Sequence, residues 1–367
     1  LGAGRLMRTR ISILAAALAA VSLVALTAAG PAAARKGPPE FFGLVPQNNL
    51  TNSDFERMGR GEVGQVRFVL NWGAVEPSDD QFDFAASDEL VGKLAAQGIR
   101  PFVNVFGAPS FVSSGAPPQP LPVGSAQDKA QWQEFLSQAV GRYGPDGTYW
   151  TTVYPTQHPD EPPMPVETWQ LWNEQNGEKH VRDPDPAKYA ELVKISHPAI
   201  TGEDPNAEIV LGGMVDTRSN RGERIKASKF LKRMYQSNGV ENFFDAVSIH
   251  PYSPDVEGIE EQFEKVRKVL KKNDRSAGTW VTEIGWGSSK KGKLGVGKKE
   301  QAKLLKQSFK LLLKKRGKWK VGGVLWYTWR DAGDAPCDWC RTAGLFKANG
   351  TKAKPAWKQF VRFTGGK

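Results

Sequence analysis

Eight short apolar runs recur along this chain, and seven of the gaps between or after them carry helical periodicity. The runs are "FFGLV" (41–45), "QVRFVLN" (65–71), "RPFVNVF" (100–106), "TWQLW" (168–172), "EIVLGGM" (208–214), "AVSIH" (246–250), "TWVTEI" (279–284) and "GGVLWYTW" (322–329). Most are continuously apolar rather than alternating, the pattern of strands covered on both faces. Stretches such as "FAASDELVGKLAAQG", "AQDKAQWQEFLSQAVGRYG" and "EGIEEQFEKVRKVLKKN" place apolar residues three and four apart, as amphipathic helices do. Eight alternating βα units predict an α/β fold, a (β/α)8 TIM barrel. A doubly wound open sheet would need a glycine-rich turn after its first strand, and "GLVPQNNLTNS" has none.

The barrel accounts for residues 35–367, and the first 34 residues stand apart from it. Arg5, Arg8 and Arg10 precede "ISILAAALAAVSLVALTAA", and small residues at Ala32 and Ala34 follow. A basic start, an apolar run and an A-x-A ending predict a secretory signal cut after Ala34, hence a secreted, extracellular protein. An uncleaved anchor is the alternative, since about 19 apolar residues can span a bilayer. No later apolar run is that long, so the mature form is expected to have no membrane span. Removing the signal takes away three arginines and no acids, and the formal charge falls from +11 to +8. That surplus suits anionic surroundings or simply solubility. Its lysines follow helix faces without a recognised module, which argues against nucleic acid.

Cys337 and Cys340, in "APCDWCR", are the two cysteines. In an exported chain a close pair predicts a disulfide; free thiols, a redox pair or half a zinc site are the alternatives, and no second C-x-x-C or pair of histidines three to five residues apart completes four zinc ligands.

On a barrel, residues at the C-terminal tips of strands face the active-site bowl. That position gathers Asn173 and Glu174 beyond strand four, His250 and Tyr252 beyond strand six, and Glu283 near the tip of strand seven. Arg67 lies on strand two, Trp326 and Trp329 are assigned to strand eight, and Trp72 and Trp286 flank strands two and seven. Two carboxylates meeting across a barrel mouth are what glycoside hydrolysis requires, one giving a proton and one attacking the anomeric carbon. Tryptophan faces offer flat platforms for sugars.

That set resembles the clan A glycoside hydrolases, and "VRFVLNWGAVEPSDDQFDFAASDELVGKLAAQGIRPFVNVFGAPSF" resembles family 39 in particular. The resemblance implies a retaining enzyme with Glu174 as acid/base, Glu283 as nucleophile and Asn173 on the sugar 2-hydroxyl. It places Arg67, His250, Tyr252 and Trp326 at the clan's binding positions, to which Trp72, Trp286 and Trp329 are added as candidate platforms. It implies no cofactor and no metal. The expected partner is a polysaccharide or oligosaccharide, and a monomer is expected. The loop "SSKKGKLGVGKKE" (288–300) raises an anionic glycan as one candidate, solubility alone being the other. Transglycosylation through the same intermediate, or a barrel that binds glycans without cleaving them, are the rival functions.

Overall fold

The computed structural model describes residues 36–113, 118–216 and 225–367. The signal peptide expected at residues 1–34 lies outside them. Eight strands form a closed, wholly parallel barrel: β1 (Phe42–Val45), β2 (Gln65–Asn71), β3 (Arg100–Phe106), β4 (Thr168–Leu171), β5 (Glu208–Leu211), β6 (Ala246–Ile249), β7 (Gly278–Ile284) and β8 (Val321–Tyr327). β8 pairs with β1, Leu44 opposite Trp326, which closes the ring and leaves no sheet edge. A helix follows each strand: α1 (Asn52–Arg60), α2 (Ala85–Ala95), α3 (Ala126–Tyr143), α4 (Pro186–Glu203), α5 (Ala227–Met234), α6 (Val256–Asn273), α7 (Lys298–Trp319) and α8 (Pro355–Thr364).

Local chemistry sets these boundaries. Ser125 and Asp128 close a capping box at the start of α3, and Asp255 accepts from the Gly258 N–H at the start of α6. β5 and β8 end earlier than the apolar runs suggest, so Trp329 stands past its strand. Two cores result. The outer one lies between helices and barrel, for example Val66, Phe68 and Leu70 of β2 facing α-helical side chains. The inner one plugs the barrel with Phe102, Val210, Ala246, Trp280 and Leu325. Gly322 and Gly323 make room for the Trp280 ring, since an added Cβ at either would fall 2.6 or 2.4 Å from it.

Two proline-rich segments, 107–124 after β3 and another before β4, have different roles. Of the first, Gly107, Ala108 and Gln119 line a cavity beside His180. The one before β4 includes helical turns at Tyr149–Val153 and Tyr154–Gln157, burying Tyr149, Trp150 and Tyr154 as it leads into the start of that strand. Among the described residues, no helix is long and apolar enough to cross a membrane.

Candidate active site

The bowl is built on a buried guanidinium. Arg67 is 2% exposed and stands on the inner face of β2. Its Nε donates to Oε1 of Gln170 (2.5 Å), Nη1 to Oε1 of Glu283 (3.0 Å) and Nη2 to Oδ1 of Asn173 (2.8 Å). Asn104, with its amide turned to suit its neighbours, also accepts from Nη2 at 2.9 Å and donates to the Trp172 carbonyl at 2.7 Å. One side chain thus ties β2, β3, β4 and β7 together at the floor. Only arginine offers donors enough, in a fixed plane, for such a set.

Glu283 is held from two sides, by Arg67 and by the Tyr252 hydroxyl, which donates to Oε2 at 2.7 Å. Burial, and then the Glu283 charge, push the Tyr252 hydroxyl well above its usual range, so it remains a donor. Glu174 faces two histidines. Nδ1 of His250 lies 3.1 Å from Oε1, and Nε2 of His180 lies 3.4 Å from Oε2. Burial alone pushes the Glu174 carboxyl up, but hydrogen bonds from His180 and His250 overcome it and hold the group well below the usual carboxylate range. The backbone at Glu174 is left-handed (φ 43°), as it is at Trp172 (φ 68°). A non-glycine residue holds that conformation at a cost of about 1–3 kcal/mol, a pattern that clusters at functional sites.

His250 is fixed from below. An ionised Glu174 can only accept, so Nδ1 carries the hydrogen that points at it. Nε2 lies 3.0 Å from the hydroxyl of Thr282. That hydroxyl accepts from Gln170 Nε2 (3.1 Å) and also bonds Ser248. With Gln170 and Ser248 donating to its two lone pairs, Thr282 gives its own hydrogen to Nε2, an orientation assigned from the network. Gly213 of the β5–α5 connection leaves the space: a Cβ there would sit 2.0 Å from Nε2.

The two acids therefore converge. A carboxylate oxygen of Glu174, one of Glu283 and a ring nitrogen of His250 all lie within 4.8 Å of one another. Three such atoms could also hold a cation, but the Arg67 guanidinium, 3.0 Å from Glu283, already occupies the neighbouring position with positive charge.

The expected tryptophan platforms are a correction. Trp72, Trp286, Trp326 and Trp329 are each 0% exposed and have no surface to offer a sugar. Trp72 donates from Nε1 to the carboxylate of Glu76, four residues on (2.6 Å), and packs on Trp132 and Phe135 of α3. Trp286 and Trp326 pack on each other and donate to the Ser253 and Ala343 carbonyls. Trp329 donates to Asp54 and packs on Phe346 and Trp357. Strand parity explains Trp326: side chains alternate between faces, so Leu325 and Tyr327 point inward and Trp326 outward.

Other residues line the bowl instead. Trp339, between the two cysteines, packs on Tyr252 (4.9 Å between centroids) and Tyr327 (5.8 Å) and is partly exposed. Val69, 45% exposed, shares the strand face of Arg67 two residues on, above it at the mouth. Gln170, Asn104, Ser248 and Thr282 are legible in one respect: each is a polar residue inside an otherwise apolar run. His180 and Trp339 give no such sign.

Cys337 and Cys340 form a disulfide that closes the Trp339 turn. A loop this short removes little chain entropy, about 2 kcal/mol in the simplest model. Reducing the bond should therefore lower stability modestly while raising KM severalfold, because Trp339 loses its fixed position against Tyr252. Equal kinetics of oxidised and reduced protein would show that the turn holds its shape unaided.

A closed barrel with two buried acids converging at its mouth defines the site of a glycoside hydrolase. Residues 170–360, which contain both acids, match the family model of the glycosyl hydrolase catalytic core, and the chain belongs to that family. A search of curated proteins by sequence gives no match. Among solved structures the chain is similar to a family 39 glycoside hydrolase from the gut symbiont Bacteroides cellulosilyticus WH2 (21% identity, TM-score 0.65), over 88% of this chain and 63% of that one. It is also similar to a GH39 β-xylosidase from Caulobacter crescentus (19% identity, TM-score 0.61, 90% and 72% covered). A third is native xylanase 10B from Thermotoga maritima (13% identity, TM-score 0.60, 89% and 95% covered). At these identities the likeness is one of fold. The chain spans less than two thirds of the length of the first of these neighbours.

Proposed function

We propose that this protein is an exported, retaining glycoside hydrolase in which Glu283 is the nucleophile and Glu174 the acid/base. The observation that carries this is the approach of the two carboxylates, with oxygens inside 4.8 Å. Retaining enzymes place these groups about 5–5.5 Å apart, and inverting ones about 6.5–9.5 Å, to leave room for a water. In the first step Glu283 attacks the anomeric carbon as Glu174 protonates the departing oxygen; in the second, water takes the place of the leaving group. Arg67 and Tyr252 orient the attacking carboxylate and leave it acceptor-only. Asn173 has its amide oxygen held by Arg67, which turns its NH2 half to other acceptors, a sugar 2-hydroxyl among them. The disulfide fits export, since such bonds persist in oxidising surroundings.

The substrate is a polysaccharide or oligosaccharide. Two neighbours carry β-xylosidase and xylanase in their names, so xylosides and xylo-oligosaccharides head the substrate panel. The test is product stereochemistry, followed by NMR during turnover: the first-formed anomer should keep the configuration of the substrate. An inverted first product would overturn the proposal, and transfer to an added sugar acceptor in place of water would identify a transglycosylase.

The basic loop adds a smaller expectation. Lys290, Lys291 and Lys293 are exposed, while Lys298 and Lys299 begin α7. Following β7, the loop belongs to the catalytic face. If these lysines meet an anionic glycan, replacing Lys290, Lys291 and Lys293 with serine raises KM for an acidic polymer and leaves a neutral one unchanged. Added salt should mimic the change, given a Debye length of about 8 Å at physiological strength. Equal effects on both polymers would assign the loop to solubility alone.

A further inference from the structure

Glu174 poses a chemical difficulty: an acid that must deliver a proton is held in its ionised form by its surroundings. Its two oxygens are not equivalent. Oε1 faces His250, whose side chain is 0% exposed and locked to Thr282 at the floor. Oε2 faces His180, whose side chain is 19% exposed. His180 also borders a cavity of about 250 Å³ shared with Asn71, Phe106, Gln119, Trp172 and Lys179. Of the two histidines at Glu174, His180 is the one that borders this cavity, and His250 is fully buried.

His180 owes its position to the chain rather than to Glu174. Its carbonyl accepts from Trp172 Nε1 (3.1 Å), and its N–H donates to the Gly177 carbonyl (3.2 Å). The ring stands 3.4 Å from Oε2, longer than the 2.7–3.2 Å typical of N–H···O bonds. A small approach of the ring brings it to hydrogen-bond distance of the carboxylate, where a proton can pass between them.

We propose that His180 and Glu174 work as one proton-carrying pair, in which a single proton held between His180 Nε2 and Glu174 Oε2 is the proton delivered to the glycosidic oxygen. This rests on the reading of Glu174 as acid/base, and His180 is a positioning residue within it. The imidazolium–carboxylate and imidazole–carboxylic acid forms hold the same number of protons, so one rearrangement arms the acid. As the bond from anomeric carbon to oxygen breaks, its electron pair leaves with the oxygen, which takes the proton from Oε2. Carboxylate and neutral imidazole remain. The attacking water of the second step returns a proton to the pair. Around it stand Arg67 of β2, His250 and Tyr252 beyond β6, Glu283 of β7, Tyr327 of β8, and Lys179 beside His180.

Two measurements test the pair. The first needs no substrate. In full-length protein labelled with ¹⁵N-histidine, the Nε2 signal of His180 should report a proton shared with the carboxylate, and Glu174→Gln should change that signal while leaving the ring in place. A His180 Nε2 signal identical in wild type and Glu174→Gln would refute the pairing whatever the substrate proves to be. The second measurement compares His180→Gln with wild type on a substrate of the panel that is turned over. An imidazole holds its proton to higher pH than a carboxylate does. The alkaline limb of kcat/KM should therefore move to lower pH in His180→Gln for an alkyl leaving group. For a dinitrophenyl leaving group, which needs no proton, kcat/KM should fall much less than for the alkyl one. A limb that moves to higher pH would make His180 only a cation that steadies the carboxylate. An equal loss on both leaving groups would make it structural. Glu174→Ala is the control: if it spares the alkyl substrate, the acid/base reading fails first, and separately from the pair.

Discussion

Glu283→Gln should still fold, less stably because the buried Arg67 loses its counter-charge, and lose turnover by ~10⁴-fold or more in kcat, the scale on which removing a nucleophile acts. Glutamine keeps the shape and one acceptor oxygen for Arg67 but cannot form a glycosyl ester. The informative companion is Glu283→Ala in the presence of azide. A small anion entering the vacated space should yield a glycosyl azide of inverted configuration, because it attacks the face that Glu283 occupied. Azide added to Glu174→Ala should give the retained product, because there it reacts with the covalent intermediate. Near-wild-type activity in Glu283→Gln would overturn the assignment. The reverse pattern of azide products would exchange the two roles.

Arg67→Met is the second large effect, and here stability moves as well as rate. Its guanidinium holds Gln170, Glu283, Asn173 and Asn104 at once, with 2% of its surface exposed. Removing one partner of a buried ion pair leaves the other charge uncompensated and costs about 3–5 kcal/mol. A methionine stem fills part of the space but offers no donor. Urea unfolding should show this loss with an unchanged slope, while kcat falls ~10²–10³-fold through misplacement of Glu283, comparable to the loss of a preorganised donor. Arg67→Lys should recover little of either, since one ammonium cannot reach four acceptors in a plane. A stable, active Arg67→Met would mean that the other contacts hold the acids without it.

The barrel is readable because each strand is buried on both faces, and such strands announce themselves as unbroken apolar runs. The acids are readable because a barrel directs strand tips to one end. Glu174 and Glu283 are brought together from positions 109 residues apart in the sequence. The tryptophans mislead for a physical reason. A one-residue step along a strand exchanges the inner face for the outer. In "LWYTW" the residue that turns inward is Tyr327, not its larger neighbour. His180 stays hidden because its approach to Glu174 depends on the loop between them, which no periodicity governs.

The burial of the tryptophans has an optical consequence. Eleven of the twelve are buried, and only Trp339 is partly exposed, at the rim of the bowl against Tyr252 and Tyr327. Iodide in solution should therefore quench one indole and leave the rest of the emission untouched. Any glycan that settles over Trp339 should shield it, so the quenchable fraction becomes a binding signal that requires neither turnover nor an identified scissile bond. The protein carries its own fluorescent probe for finding what it binds.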